Sequence, residues 1–169
     1  MQVTDSKSLP IYPYLDQIAD ALADHPSVVL HAETGAGKTT LVPLKLLGHE
    51  AFAREKILLL QPRRIAARAA ADRIASLIGE KPGRTVGLRT RLETITGPST
   101  RLDVVTEGVL TRIIQNDQSL EKYGTVIFDE FHERSHRDAG LQPEGEAGYR
   151  EDRAHVLGGH AECKRAVQV

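Results

Sequence analysis

The sequence predicts an α/β fold in which a parallel β-sheet carries helices on both faces. Short apolar segments alternate along most of the chain with longer segments whose apolar residues recur at helical spacing. Such alternation is typical of strands joined by right-handed crossover helices, which bring parallel strands into one sheet. A glycine-rich loop between the first predicted strand and the following helix supports the same class.

The predicted strands are apolar and short, and they comprise residues 28–31, 57–60, 85–88, 101–106 and 125–128. Residues 57–60 read Ile-Leu-Leu-Leu, without the polar alternation of a half-exposed strand. A run of this kind indicates a strand that is buried on both faces, as in the centre of a parallel sheet.

The predicted helices comprise residues 14–23, 38–47, 64–78 and 107–115. In the first of them the larger apolar residues fall on one face, namely Leu15, Ile18, Ala19 and Leu22. The third is rich in alanine and repeats Ile65, Ala69, Ile74 and Ile78 at near-helical spacing, with Gly79 suited to its C-terminus.

Composition excludes several classes of protein. The chain has 169 residues, of which 40% are hydrophobic and 27% charged, as in an ordinary globular domain. No apolar run approaches the roughly 20 residues that span a membrane, and the first residues lack the apolar core of a secretion signal. Cys163 is the single cysteine, so an internal disulfide framework is excluded and a cytoplasmic protein is expected.

Charge is unevenly distributed along the chain, although the net charge is only −1. Between residues 54 and 101 there are eleven Arg or Lys and four Asp or Glu, a local excess of 11 − 4 = +7. A basic stretch is expected of a surface that binds a phosphate backbone. Solvated faces of helices and loops are the alternative explanation.

Residues 32–39 (AETGAGKT) resemble a Walker A loop, although Ala32 stands where the first glycine normally lies. In such a loop Lys38 reaches the β- and γ-phosphates of ATP, and the Thr39 hydroxyl binds Mg²⁺. The alternative is a glycine turn before an ordinary helix. The predicted nucleotide-binding residues are Thr34, Gly35, Ala36, Gly37, Lys38, Thr39 and Thr40.

Two carboxylates, Asp129 and Glu130, follow the apolar strand at residues 125–128, as in a Walker B motif. Asp129 is predicted to hold Mg²⁺ together with Thr39, and Glu130 to position and deprotonate the attacking water. Alone, such a pair often marks only the start of a helix. Its position some ninety residues after the glycine loop favours the catalytic interpretation.

Residues 129–135 (DEFHERS) look like motif II of the DExH branch of superfamily 2 helicases, next to the DEAH group. Residues 61–64 (QPRR), 87–91 (GLRTR) and 106–110 (TEGVL) resemble further blocks of that family, in the same order. The resemblance covers roughly residues 8–135. It implies a P-loop, RecA-like domain that binds ATP, Mg²⁺ and single-stranded RNA, with DNA as the alternative, and a catalytic set of Lys38, Glu130 and His132.

The same resemblance implies which residues contact nucleic acid, namely Arg63, Arg64, Arg89, Arg91, Thr106, Glu107 and Gly108. Independently, two adjacent arginines open a helix directly after a parallel strand, at the sheet edge where ligands of such folds bind. Arg89 and Arg91 are one residue apart on a predicted strand, so they are expected to face the same side. Solvated surface charges remain the alternative for these arginines.

The family pattern stops after Ser135. Residues 136–169 contain few large aliphatic residues, so an irregular, disordered tail is expected after a domain at residues 1–135. The sequence contains neither motif III of the family (S-A-T) nor a second RecA-like domain. That domain would be the natural partner and would carry the arginine fingers. The expectation is a truncated ATP-binding half of an ATP-dependent RNA helicase, through a frameshift or gene truncation. The alternatives are a non-enzymatic ATP- or RNA-binding module and a decayed product.

Overall fold

The computed structural model describes residues 3–129 and 165–169. The described strands form one sheet in the order β1-β7-β6-β2-β5-β3-β4. All neighbouring pairs are parallel except the antiparallel pair β3 and β4, so the predicted parallel sheet is confirmed. The strands are β1 (Ser27–Val29), β2 (Ile57–Gln61), β3 (Val86–Arg89), β4 (Thr94–Ile95), β5 (Leu102–Thr106), β6 (Thr125–Phe128) and β7 (Arg165–Gln168).

Each predicted helix is present, with ends within two residues of the expected positions. The helices are α1 (Leu15–Asp24), α2 (Lys38–Gly48), α3 (Arg64–Leu77) and α4 (Glu107–Asn116). Short 3₁₀ helices lie at Val3–Ser8, Tyr12–Tyr14 and Glu50–Phe52. Among the described residues, no helix is long and apolar enough to cross a bilayer.

Helices cover both faces of the sheet, as predicted. Leu59 belongs to a core cluster shared with α1, α2 and α3, whereas its neighbour Leu58 belongs to a second cluster that includes Leu110 of α4. Successive side chains of a strand point to opposite faces, so both can be fully buried only when both faces are covered. The buried run at residues 57–60 is therefore a central strand of the sheet.

The buried face of α3 differs from the one that the sequence pattern indicated. Its buried residues are Ala67, Ala70, Ala71, Ile74 and Ala75. Ile65 is instead 86% exposed and Ala69 also faces solvent, so the predicted stripe is correct only at Ile74. Alanines have small side chains, which allow the helix to lie close to the sheet, and a spacing rule based on large aliphatic residues overlooks such a face.

The strand β7 departs from the prediction of an irregular tail for these four residues. It lies between β1 and β6, parallel to both, and Val167 is fully buried in the larger core cluster. Arg165 pairs with Glu55 at 3.1 Å and lies 5.1 Å from the centre of the Phe52 ring. The rest of the predicted tail, residues 136–164, lies outside the described residues. Within them, β1 joins the sheet through β7 alone.

Candidate functional site

The predicted phosphate loop connects β1 to α2 and depends on two glycines. Gly35 has φ +85° and Gly37 has φ +96°, in the left-handed region that glycine adopts without steric strain. Gly37 is the N-cap of α2, and no side chain caps this helix terminus. The first N–H groups of a helix have no partner within the helix, so this terminus can donate to an anion.

Lys38 is the first residue of α2, and its ammonium group folds back onto the loop. It donates to the backbone carbonyl of Ala32 and, at 3.5 Å, to that of Glu33. These contacts hold the ammonium beside the helix N-terminus, so a positive charge and the N–H groups at the start of α2 share one location. This arrangement can bind a phosphate group.

The other predicted nucleotide-binding residues differ in what they can offer a ligand. Thr34 is exposed, whereas the side chain of Ala36 is buried and its N–H donates to the carbonyl of Glu33 at 3.2 Å. The Thr40 hydroxyl donates to the carbonyl of Gly37 at 3.3 Å. Ala36 and Thr40 therefore stabilise the loop from within.

The predicted magnesium ligands come together. The Thr39 hydroxyl donates a 2.5 Å hydrogen bond to Oδ2 of Asp129, ninety residues further along the chain. Asp129 is buried directly after β6, where the strand order places it close to the loop that follows β1. A hydroxyl and a carboxylate are the oxygen ligands that Mg²⁺ prefers.

The donor set fits a magnesium ion that is shared with a nucleotide. Among the described residues no three His, Cys, Asp or Glu side chains cluster as a protein-only metal cage. Mg²⁺ at phosphate-transfer sites is typically held by one or two carboxylates and hydroxyls together with substrate phosphates. Thr39 and Asp129, next to the phosphate loop, meet that requirement.

Gln61 was not predicted as a site residue. It ends β2, is buried, and its side-chain amide donates a 2.5 Å hydrogen bond to the same Oδ2 of Asp129. A polar residue at the end of an otherwise apolar buried strand was the available signal. Two further predicted catalytic residues, Glu130 and His132, lie outside the described residues.

The structure places the predicted nucleic-acid contacts of two motifs, at residues 61–64 and 106–110, next to each other. Arg63 is the N-cap of α3 and Arg64 its first residue, and both side chains are exposed. Thr106 is the N-cap of α4, which begins with the exposed Glu107 and Gly108. Since β2 and β5 pair in parallel with Gln61 opposite Thr106, both helix N-termini lie at the same edge of the sheet.

The prediction that Arg89 and Arg91 face the same side of one strand is wrong. Strand β3 ends at Arg89, and the chain then turns toward β4, with the Thr90 N–H donating to the carbonyl of Glu93 at 2.7 Å. The alternation of strand side chains stops where the turn begins, and Arg91 is exposed in that turn.

Arg89 instead takes part in a polar network on the α4 side of the sheet. Its Nη1 donates to the Tyr123 hydroxyl at 3.4 Å, and that hydroxyl donates to Oδ2 of the buried Asp103 at 2.8 Å. Burial raises the pKa of Tyr123, the Asp103 carboxylate raises it further, and Arg89 opposes the shift. The Tyr123 hydroxyl thus connects Arg89 to the buried carboxylate of Asp103.

Comparison with known proteins identifies relatives of this chain. The DEAD/DEAH box helicase family model matches residues 13–151. The ATP-dependent RNA helicase HrpB of Escherichia coli K12 is 56% identical over 128 residues, which are 76% of this chain and 16% of that protein. The ATP-dependent RNA helicase HrpA of Borreliella burgdorferi is 41% identical over 128 residues, 75% of this chain and 15% of that protein.

Solved structures give the same relationship. A crystal structure of the E. coli DExH-box NTPase HrpB superposes with a TM-score of 0.78 and 45% sequence identity, covering 95% of this chain and 19% of that one. This chain therefore spans less than a fifth of the length of these relatives. The family model covers most of this chain, and the HrpB relative is 56% identical over three quarters of it, so the chain belongs to the DEAD/DEAH box helicase family.

Proposed function

We propose that this chain binds ATP with Mg²⁺ and one strand of RNA, as the ATP-binding part of an ATP-dependent RNA helicase. The observation that carries the proposal is the 2.5 Å hydrogen bond between Thr39 and Asp129, which joins the phosphate loop to the end of β6. If the loop were only a glycine turn before a helix, a buried carboxylate ninety residues away would not be expected to bond to the second residue of that helix.

In this proposal, Lys38 and the N–H groups at the start of α2 bind the β- and γ-phosphates. Thr39 and Asp129 hold Mg²⁺, which would neutralise charge on the phosphate oxygens. Gln61 orients the Asp129 carboxylate through its own hydrogen bond. Thr34 and Gly35 line the exposed side of the loop.

The RNA contacts are proposed at the edge where α3 and α4 begin. Arg63 and Arg64 would bind backbone phosphates, and the N-terminus of α4 at Thr106, Glu107 and Gly108 would offer backbone N–H groups. Support comes from the parallel register of β2 and β5, which aligns the two helix termini. Arg91, in its exposed turn, is a further candidate, whereas the contact of Arg89 with Tyr123 favours a structural role.

Hydrolysis and unwinding are a further part of the proposal. The family resemblance assigns Glu130 to the attacking water and His132 to coupling with a second RecA-like domain, which would also supply arginine fingers. An arginine finger is typically worth about 10³- to 10⁵-fold in rate. We therefore propose that residues 1–135 bind nucleotide, and that fast turnover needs the second domain. The single cysteine supports a cytoplasmic location.

The proposal is tested by titrating a fluorescent ATP analogue with Mg²⁺ into the 169-residue chain and into two lysine variants. Lys38→Ala is expected to abolish saturable binding. Lys45→Ala is the matched control, because Lys45 lies on the same helix but pairs with Asp16 at the surface. Equal affinity in all three proteins, or no saturable binding to the unmodified chain, would overturn the nucleotide-binding proposal.

A further inference from the structure

A segment near the N-terminus, residues 9–11, lies directly against the phosphate loop. The backbone N–H of Ile11 donates to the carbonyl of Ala36 at 3.2 Å. Ile11 and Ala36 are both buried, with exposed fractions of 3% and 2%. The loop is thus bonded to, and covered by, a part of the chain that precedes β1.

The same segment fills the space beside Gly37. A Cβ atom added to Gly37 would lie 2.9 Å from Cδ1 of Leu9 and 3.3 Å from Cγ2 of Ile11. Ile11 belongs to the larger core cluster, together with Leu41 and Val42 of α2, and Leu9 packs against it. Leu9 and Ile11, which line one side of the phosphate loop, are therefore anchored in the core.

We propose that Leu9 and Ile11 are positioning residues for phosphate binding, which hold Ala36 and Gly37 in the loop conformation that receives the nucleotide. This inference rests on the proposed function. A loop with two left-handed glycines has many accessible conformations when nothing constrains it. When the competent conformation is only fractionally populated, the apparent dissociation constant rises by the inverse of that fraction.

The first test compares Leu9→Ala with Leu77→Ala. Leu77, at the end of α3, is also a partly buried leucine packed against the larger cluster, but it does not belong to the segment that lies against the phosphate loop. If Leu9→Ala leaves the loop competent about a tenth of the time, the dissociation constant for Mg²⁺–ATP rises about tenfold. Leu77→Ala is expected to bind as the unmodified chain does, and Leu9→Met, which refills the space, to restore affinity.

The second test needs no nucleotide. Three amide groups report on loop order, because Ala36 donates to Glu33, and Thr40 and Leu41 donate to Gly37, the last at 2.8 Å. Hydrogen exchange of peptides covering residues 33–41 should be faster in Leu9→Ala than in Leu77→Ala. Leu9→Val should give an intermediate rate, which keeps the test usable if the alanine variant does not fold.

The outcomes separate this inference from the function on which it rests. If the unmodified chain binds no ATP, the proposed function fails, and loop exchange still decides whether residues 9–11 order the loop. If the chain binds ATP but Leu9→Ala matches Leu77→Ala in both affinity and loop exchange, the positioning role is overturned.

Discussion

The side-chain amide of Gln61 donates a 2.5 Å hydrogen bond to Oδ2 of Asp129, the oxygen that also accepts from Thr39. Gln61 ends β2, and the chain continues through Pro62 into the arginines that begin α3. Because β2 and β6 are neighbours in the sheet, one buried contact links the proposed magnesium ligand to the proposed RNA-binding edge.

Replacing Gln61 by leucine tests whether this contact stabilises the site. Gln61→Leu leaves a buried carboxylate oxygen with one donor fewer, so we expect the free energy of unfolding to fall by about 1–3 kcal/mol. Urea denaturation measures this difference. Gln115→Leu, at an exposed position of α4, is the control. A loss no larger than that of the control would show that the contact contributes nothing to stability.

Arg64 tests the proposed RNA surface. Arg64→Gln should weaken binding of single-stranded RNA of any sequence, and should reduce the slope of log affinity against log salt by about 0.7. The control is Arg54→Gln, an exposed arginine before the start of β2, at the opposite edge of the sheet. Fluorescence anisotropy at several salt concentrations gives both quantities. An unchanged salt slope in Arg64→Gln would exclude a phosphate contact.

Tyr123 tests the network between Arg89 and Asp103. Tyr123→Phe removes the hydroxyl that donates to Oδ2 of the buried Asp103, whose Oδ1 has no hydrogen-bond partner among the described residues. We expect a loss of about 1–3 kcal/mol in the free energy of unfolding at pH 8. Stability equal to that of the unmodified chain at pH 8 would contradict the network.

The pH dependence of this loss follows from the raised pKa of Tyr123. Folding favours the neutral hydroxyl, so its contribution is fully present below the ordinary tyrosine pKa of about 10 and is lost as pH rises through the folded value. The difference between the unmodified chain and Tyr123→Phe should therefore shrink above pH 10. Denaturation at pH 8 and pH 10.5 measures this difference in stability. A difference that grows between the two pH values would mean that folding lowers the pKa of Tyr123 instead of raising it.

Val167 tests the strand that the sequence did not indicate. It is fully buried in β7, so Val167→Ala should lower the free energy of unfolding by about 2 kcal/mol through lost burial and a small cavity. Val29→Ala is the control, because Val29 is 75% exposed on the neighbouring β1. Equal and small effects would mean that β7 does not pack as described.

The sequence predicted those parts of the structure that depend on local pattern. The buried strand at residues 57–60 and the phosphate loop with its two glycines were both predicted, because each depends on residues that are adjacent in sequence. The contact between Gln61 and Asp129 joins residues 68 positions apart, and no local pattern signals it. Strand β7 has one fully buried side chain, Val167, which is too little to distinguish a short strand from a loop.

The errors at Ile65 and Arg91 have a common physical origin. Helical and strand periodicity describe relative direction, but they do not reveal which face is buried or where a strand stops. On α3 the alanines take the buried face, and after Arg89 the turn ends the alternation. Both outcomes depend on packing against elements distant in sequence.

The most direct test of the central claim is the magnesium dependence of ATP affinity in the unmodified chain and in Asp129→Asn. The variant keeps the shape of the side chain but removes its charge, and Asp72→Asn, at an exposed position of α3, controls for the loss of one negative charge. We predict that Mg²⁺ strengthens ATP binding to the unmodified chain and to Asp72→Asn, but much less to Asp129→Asn. An equal gain in all three proteins would contradict a magnesium site at Thr39 and Asp129.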